Sequence, residues 1–351
     1  MNIFDLLKSE AIAHYVESVE STQVPYIGPA LFPVKKTMNL ELKWVLGADG
    51  LPVALKPSTF DAKATLRNRI GFKEMETELP FFREAMNMTE KDRRLLKSLE
   101  NSSEAYYKEE IKRIYNDVKQ LVDGADVQAE RMIHQLLSTG GISIVANNVP
   151  YEYEYADESY EKDNMKTLSG TAKWSATETA DPIKDIRAMQ KASQKAGRGI
   201  PTRAICNSNT IQYLLDNAKI KTAINGAANL ADVTLEITEE QLRAYVRAKC
   251  NGLDIIAYDN MYVDEEGNTQ YFFPDDTFTL MPNHQLGSTW YSYTPEECAK
   301  MDGEDIDCSV VNTGVAITTI FQEHPVKSET VVSEIVMPSF EQMLKVYILK
   351  V

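Results

Sequence analysis

The sequence predicts an α+β fold. Three observations carry that prediction. Residues 37–70 alternate apolar and polar positions as a two-stranded hairpin does. Residues 89–138 hold an apolar stripe at helical spacing, and the chain beyond 310 is strand-rich. Between them, residues 170–260 alternate helix-like and strand-like segments, so strands and helices come in blocks around a mixed middle.

The elements follow in chain order. Phe4, Leu7, Ala11, Tyr15 and Val19 recur at three- and four-residue steps, which predicts an amphipathic helix over 2–19. Such a helix either docks on its own chain or leaves it to grip a neighbour. Asp5, Glu10, Glu17 and Glu20 interrupt the segment, so it does not have the form of a signal peptide. In the hairpin, Met38, Leu40, Leu42, Trp44 and Leu46 alternate with Thr37, Asn39, Glu41, Lys43 and Val45. After a loop with Gly47, Gly50, Pro52 and Pro57, the apolar series Phe60, Ala62, Ala64, Leu66 and Ile70 interleaves with Asp61, Lys63, Thr65, Arg67 and Arg69. Strands of about ten residues would reach roughly 33 Å. A lone hairpin is marginal in water, so its apolar face needs a cover. The cover is its own domain or another subunit, and the length and loose tip favour the second.

The helical stretch opens on Thr89 and Asp92, a variant capping box. Its stripe is Tyr107, Ile111, Ile114, Val118, Leu121, Ala125, Ala129, Met132 and Leu136, with Gly124 as a point of kinking or interruption and Gly140-Gly141 as its stop. Strands are expected at 142–146 and 149–155, followed by the acidic run Glu152, Glu154, Asp157, Glu158, Glu161 and Asp163, which fits a solvated face better than a metal site. The middle predicts helices over 183–196, 210–217 and 239–249, the last capped by Thr238, and strands over 203–206 and 253–258. Residues 271–291 form two short strands around a turn: Pro274, Asp275 and Asp276 are turn residues, Phe278 and Leu280 alternate with Thr277 and Thr279 as in a half-buried strand, and Pro282 ends it. Strands over 315–321, 330–336 and 344–351 close the series.

Length, 351 residues, allows roughly two domains, or one domain with long insertions. The formal charge of −15, from 52 acidic and 37 basic residues, argues against a sequence-independent grip on nucleic acid. Cys206, Cys250, Cys298 and Cys308 show no CxxC spacing, so they suit a reducing compartment. No segment approaches a membrane span. His14, His134, His284 and His324 are too scattered for a zinc pattern, and Gly197-Arg198-Gly199 lacks the third glycine of a dinucleotide loop. Asp275-Asp276 could form a carboxylate pair, but neighbours in an extended segment point apart. No catalytic residue, cofactor or metal ligand is therefore expected, and the chain reads as a non-enzyme.

Several segments then resemble, in order, the lambda-type major capsid proteins of tailed bacteriophages (the E family). These are Leu31-Phe32-Pro33, Trp174-Ser175, Asp181-Pro182-Ile183-Lys184-Asp185-Ile186, the stretch from Tyr271 through Leu286-Gly287-Ser288-Thr289 to Thr294-Pro295-Glu296-Glu297, and His324-Pro325 with the strand after it. The resemblance implies the Hong Kong-type capsid fold: an N-terminal arm (1–33), an extended loop (34–72), a peripheral domain with a long spine helix (73–168 and 285–351) and an axial α/β domain (169–284). It implies a structural role in a phage or prophage, with hexamers and pentamers assembling into an icosahedral shell around double-stranded DNA. An encapsulin-like compartment shell is the alternative, and a soluble α+β enzyme with a dispersed site a more distant one. Implied partners are copies of the chain, a scaffold, a portal, decoration proteins and DNA held without sequence-specific contact, with no membrane. The location implied is the virion capsid, assembled in the host cytoplasm. Within that frame the residues expected to hold subunits together are Phe4 and Leu7 of the arm, and Trp44, Lys63, Arg67 and Arg69 of the hairpin.

Overall fold

The structure is a computed structural model describing residues 7–19, 25–46, 73–99, 104–146, 149–226 and 236–351. Helices α1 (Ser9–Ser18) and α2 (Gly28–Leu31) precede strands β1 (Val34–Thr37), β2 (Glu41–Leu46), β3 (Lys73–Glu78) and β4 (Phe81–Met88). Helices α3 (Glu90–Leu99) and α4 (Glu104–Thr139) follow, then β5 (Gly141–Ala146) and β6 (Val149–Glu154). The middle runs α5 (Glu158–Asn164), β7 (Met165–Thr167), α6 (Pro182–Lys195), β8 (Arg203–Cys206), α7 (Ser208–Asp216), α8 (Ala218–Asn225), α9 (Glu239–Lys249) and β9 (Asp254–Ala257). The remainder is β10 (Met261–Val263), β11 (Thr269–Tyr271), β12 (Thr277–Met281), β13 (Ser288–Ser292), α10 (Pro295–Met301), β14 (Cys308–Val311), β15 (Val315–Glu323), β16 (Val326–Ser339) and β17 (Tyr347–Lys350).

Local chemistry sets where the helices begin. Asp157, Asp181, Asn207, Asn217, Thr238 and Thr294 stand at the N-caps of α5 to α10. Each side chain accepts a hydrogen bond from a first-turn backbone N–H that has no partner inside the helix. At α9 the bond is reciprocated, because Gln241 Oε1 accepts from the Thr238 N–H at 2.9 Å. Thr238→Ala is expected to cost about 1 kcal/mol in a urea unfolding curve; no measurable change would mean that water replaces the cap.

The chain divides into two compact units. The first comprises Met1–Leu42, Glu76–Met132 and Ser288–Ser339. Its sheet has the order β1-β13-β16-β15-β14, with β4 also paired to β16. Strand β16 is the hub, bonding β4 and β15 over most of its length and β13 at its end. The core joins Ile12 and Val16 of α1, Ile111, Tyr115, Val118 and Val122 of α4, and Val315, Ile317 and Val332 of the sheet. The second unit comprises Lys43–Met75, Ile133–Gly287 and Phe340–Val351. Its main sheet has the order β7-β17-β12-β8-β9, and its core gathers Trp174, Ile186, Leu214, Val246, Phe278, Leu280 and Leu349.

Helix α4 contributes to both units and, at 36 residues, spans about 54 Å. It runs unbroken through Gly124, contrary to the expected kink. Gly124 is exposed, and the roughly 1 kcal/mol that glycine costs a helix is outweighed by Val122 and Ala125 beside it, both buried in the core. The hairpin differs too. Leu42, Trp44 and Leu46 are buried in alternation with exposed Glu41, Lys43 and Val45, but Met38 and Leu40 are exposed and precede the strand. The partner of β2 is β3, which the sequence does not announce; the return strand expected over 60–70 lies outside the described residues. Strand β12 is buried at all five positions, not half-buried. It is interior to its sheet, between β17 and β8, and both its faces are covered. Its threonines are satisfied there: Thr279 Oγ1 donates to the Leu137 carbonyl at 2.7 Å, and Thr277 Oγ1 accepts from Lys350 Nζ at 3.0 Å.

Candidate functional site

Among the described residues no group of three His, Cys, Asp or Glu side chains could hold a metal ion, and no helix is long and apolar enough to cross a membrane. The acidic run after β6 is solvent-exposed, and Asp157 within it caps α5. Asp275 accepts from Asn209 Nδ2 at 2.9 Å and also from Asn207. Asp276 has a left-handed φ of 53° and accepts from the Tyr213 hydroxyl at 2.9 Å. Both carboxylates thus hold a turn against α7. His134 is buried in an aromatic box, stacked 4.4 Å from Tyr258 with Phe272 and Phe273 at 5.9 Å.

The residues expected to join subunits are not gathered in one place. Leu7 is buried in the core of the first unit. Trp44 is 7 % exposed, and its ring lies 5.1 Å from that of Tyr155. Both are covered within their own chain. Phe4, Lys63, Arg67 and Arg69 lie outside the described residues.

The first unit instead presents a group of carboxylates that sequence reasoning missed. Glu130 of α4 is buried and accepts from the backbone N–H groups of Ile27 at 3.2 Å and Gly28 at 3.0 Å, which anchors the start of α2. One turn earlier, Asp126 accepts from Asn312 Nδ2 at 3.0 Å. Burial, reinforced by Asp123, pushes the Asp126 carboxyl up to about 6. Glu334 of β16 is 1 % exposed, and among the described residues neither carboxyl oxygen has a hydrogen-bond partner. Its proton is held well above the usual carboxylate range, first by burial and then by Asp126. Burial, with Glu334 and Asp126, also raises Tyr291, and burial with Asp126 and Glu130 raises Tyr26 to about 12. The packing around Tyr291 is tight, because a Cβ on Gly314 would overlap the Tyr291 ring. The available signal was Glu334 itself, the one charge in the run Val331-Val332-Ser333-Glu334-Ile335-Val336.

The Thr294-Pro295-Glu296-Glu297 stretch has a mechanical reading. Thr294 caps α10, Pro295 suits its first turn, Glu297 pairs with Lys36 of β1 at 2.9 Å, and Glu296 pairs with Arg83 of β4. Glu296 also accepts from Ser333 of β16 at 3.1 Å, so one short helix ties three strands of the sheet. Exposed apolar side chains remain at the far end of β15 and β16, where Ile320, Phe321 and Val326 face solvent. The arrangement offers surfaces and a packed frame.

A family model for phage major capsid protein E matches residues 9–332. No curated protein sequence matches the chain. Among solved structures, the putative capsid protein of a prophage from E. coli CFT073 aligns at a TM-score of 0.60 with 13 % identity, covering 98 % of this chain and 99 % of the other. A phage-related protein from Bordetella bronchiseptica RB50 aligns at 0.58 with 13 % identity, covering 98 % and 97 %. A chain of the cyanophage A-1(L) capsid aligns at 0.53 with 11 % identity, covering 99 % and 98 %. At such identities these likenesses establish the fold.

Proposed function

The chain belongs to the phage major capsid protein E family, and on that premise we propose that it builds an icosahedral shell of hexameric and pentameric capsomers around double-stranded DNA. Its role is structural, in the capsid of a tailed phage or prophage. The observation that carries the reading is the reach of the family match, residues 9–332. In this reading residues 1–33 are the arm, 34–72 the extended loop, 73–168 with 285–351 the peripheral domain, and 169–284 the axial domain. The second compact unit contains all of 169–284, which supports an axial body with a core of its own. A scaffold, a portal and decoration proteins complete the assembly in the host cytoplasm. DNA is enclosed without sequence-specific contact, in keeping with the net charge of −15.

Negative-stain microscopy and sedimentation test this on the full chain, alone and co-expressed with the reading frames that flank its gene. Closed megadalton shells are expected. A small discrete oligomer under both conditions would overturn the reading. Within it, Phe4 of the arm and Lys63, Arg67 and Arg69 of the loop reach the neighbour, while Leu7 and Trp44 fasten those segments to their own chain. Arg67→Glu combined with Arg69→Glu is expected to leave circular dichroism unchanged and to abolish shells, because guanidinium–carboxylate pairs fix geometry between subunits. Normal shells from that variant would end this assignment.

A further inference from the structure

The second unit carries two surfaces that complement each other. The first is one face of the β10–β11 hairpin. Met261 stands opposite Tyr271 and Val263 opposite Thr269, so the four side chains share a face. That face is open: Met261 is 51 %, Val263 64 % and Tyr271 38 % exposed. The other face packs inward, with the Tyr262 ring 4.8 Å from Phe272. The connecting turn is acidic. Asp264 accepts from the backbone N–H groups of Glu266 and Asn268, which shapes the turn and leaves Glu265 and Glu266 at an exposed tip.

The second surface is helix α6. Ile186, Met189, Gln190 and Ser193 face the interior. Lys184, Arg187, Lys191 and Lys195 follow one another at three- and four-residue steps along the exposed side, with exposed Ala188 and Ala192 between them. None of these four cationic groups is in an ion pair or a side-chain hydrogen bond among the described residues. Like charges at such spacing repel, so the helix is stabilised by an anionic partner. The small alanines leave room for apolar side chains to approach.

The two surfaces are separated within one chain. Gln190 Nε2 donates to the carbonyls of Pro201 and Cys250, both at 2.9 Å, just before β8 and β9 begin. Lys191 and Lys195 therefore lie beyond the starting ends of this parallel pair, whereas β10–β11 leaves from the finishing end of β9. A contact between different patches of successive copies is head-to-tail, and such contacts form rings when the rotation between copies closes.

We propose that the β10–β11 hairpin of one copy docks on α6 of the next, placing Met261, Val263 and Tyr271 over Ala188 and Ala192 and the acidic tip against Lys191 and Lys195. The proposal rests on the assembly reading and names the surface that closes a capsomer. Charge complementarity selects a second copy as the occupant, since the anionic tip and the cationic stripe belong to the same unit. A nucleic acid would satisfy the stripe but not the apolar, acidic hairpin.

Shells assembled from equal amounts of 14N- and 15N-labelled chain and treated with a carbodiimide are expected to yield Glu266–Lys191 or Glu266–Lys195 peptides of mixed isotope. Lys191→Glu with Lys195→Glu is expected to abolish capsomers while leaving circular dichroism unchanged. Adding Glu265→Lys and Glu266→Lys is expected to restore them. Absence of the mixed peptides from intact shells overturns the proposal. So does loss without rescue, or normal assembly of the lysine variant with reduced nucleic-acid content, which would assign α6 to DNA. Wild-type chain that forms no shells, either alone or co-expressed with the flanking reading frames, would instead defeat the assembly reading itself.

Discussion

Trp174→Ala is expected to destabilise the second unit by about 3–5 kcal/mol, the range for removing a fully buried tryptophan. Trp174 is 0 % exposed, lies 5.0 Å from the Phe278 ring, and its Nε1–H donates to Asp185 Oδ2 at 3.4 Å. Asp185 also holds Lys166 of β7 at 3.0 Å, so the variant strips one donor from the carboxylate that links α6 to β7 as well as opening a cavity. Domains are stable by only about 5–15 kcal/mol in total, so a loss of this size removes a large share of what holds the unit. Denaturant unfolding followed by far-UV circular dichroism measures it. A loss under about 1 kcal/mol would show that the surroundings collapse onto the vacated space, and would sink the view of Trp174 as the centre of that core.

The second large effect is on pH dependence. Glu334 keeps its proton in the folded chain well above the ordinary carboxyl value of 4.5. In the unfolded chain it ionises near that value. Its contribution to stability is fully present below 4.5 and is lost as pH rises from there through the folded value. Each pH unit in that window costs about 1.4 kcal/mol per group. Asp126 acts in the same direction over the narrower window from 3.8 to about 6, and the two carboxyls are coupled. Tyr291 faces the pair from β13 and remains protonated throughout the range. Glu334→Gln keeps the shape and removes the titration. The variant is expected to match wild type near pH 4 and to unfold at a clearly higher temperature at pH 8. Parallel melting curves from pH 4 to 8 would rule out a protonated Glu334.

Much of the fold was legible where one face of an element meets solvent. The α4 stripe, the alternation of Leu42, Trp44 and Leu46 in β2, and helix α9 with its Thr238 cap all follow from periodicity and end chemistry. Legibility failed where burial has another source. Strand β12 is covered on both faces, so its threonines mimic a solvent-facing series while sitting at 0 % exposure. Helix α8 begins on Asn217, the residue that ends α7, and no break in apolar spacing marks the junction. The candidate surfaces were harder still. Periodicity shows that Trp44 needs a cover but not which one, and Tyr155, far along the chain, supplies it. Strands β10 and β11 are only three residues each, with two per strand on the open face, too short for an alternation to stand out. Glu334 was hidden for the opposite reason: a single acid in an apolar strand carries no spacing.

The hub position of β16 has a kinetic corollary. Strands β1, β4, β13 and β15 are all synthesised before the strand that joins them, and in the other unit β7 and β12 likewise wait for β17. Neither core can close until residues 326–350 have left the ribosome. At about 5–20 residues per second, translation outlasts the microsecond events of helix formation by orders of magnitude, and the long-range pairings come last. A nascent chain therefore carries formed helices and short hairpins while both main sheets are still open. Strand order alone acts as a clock for the closing of both cores.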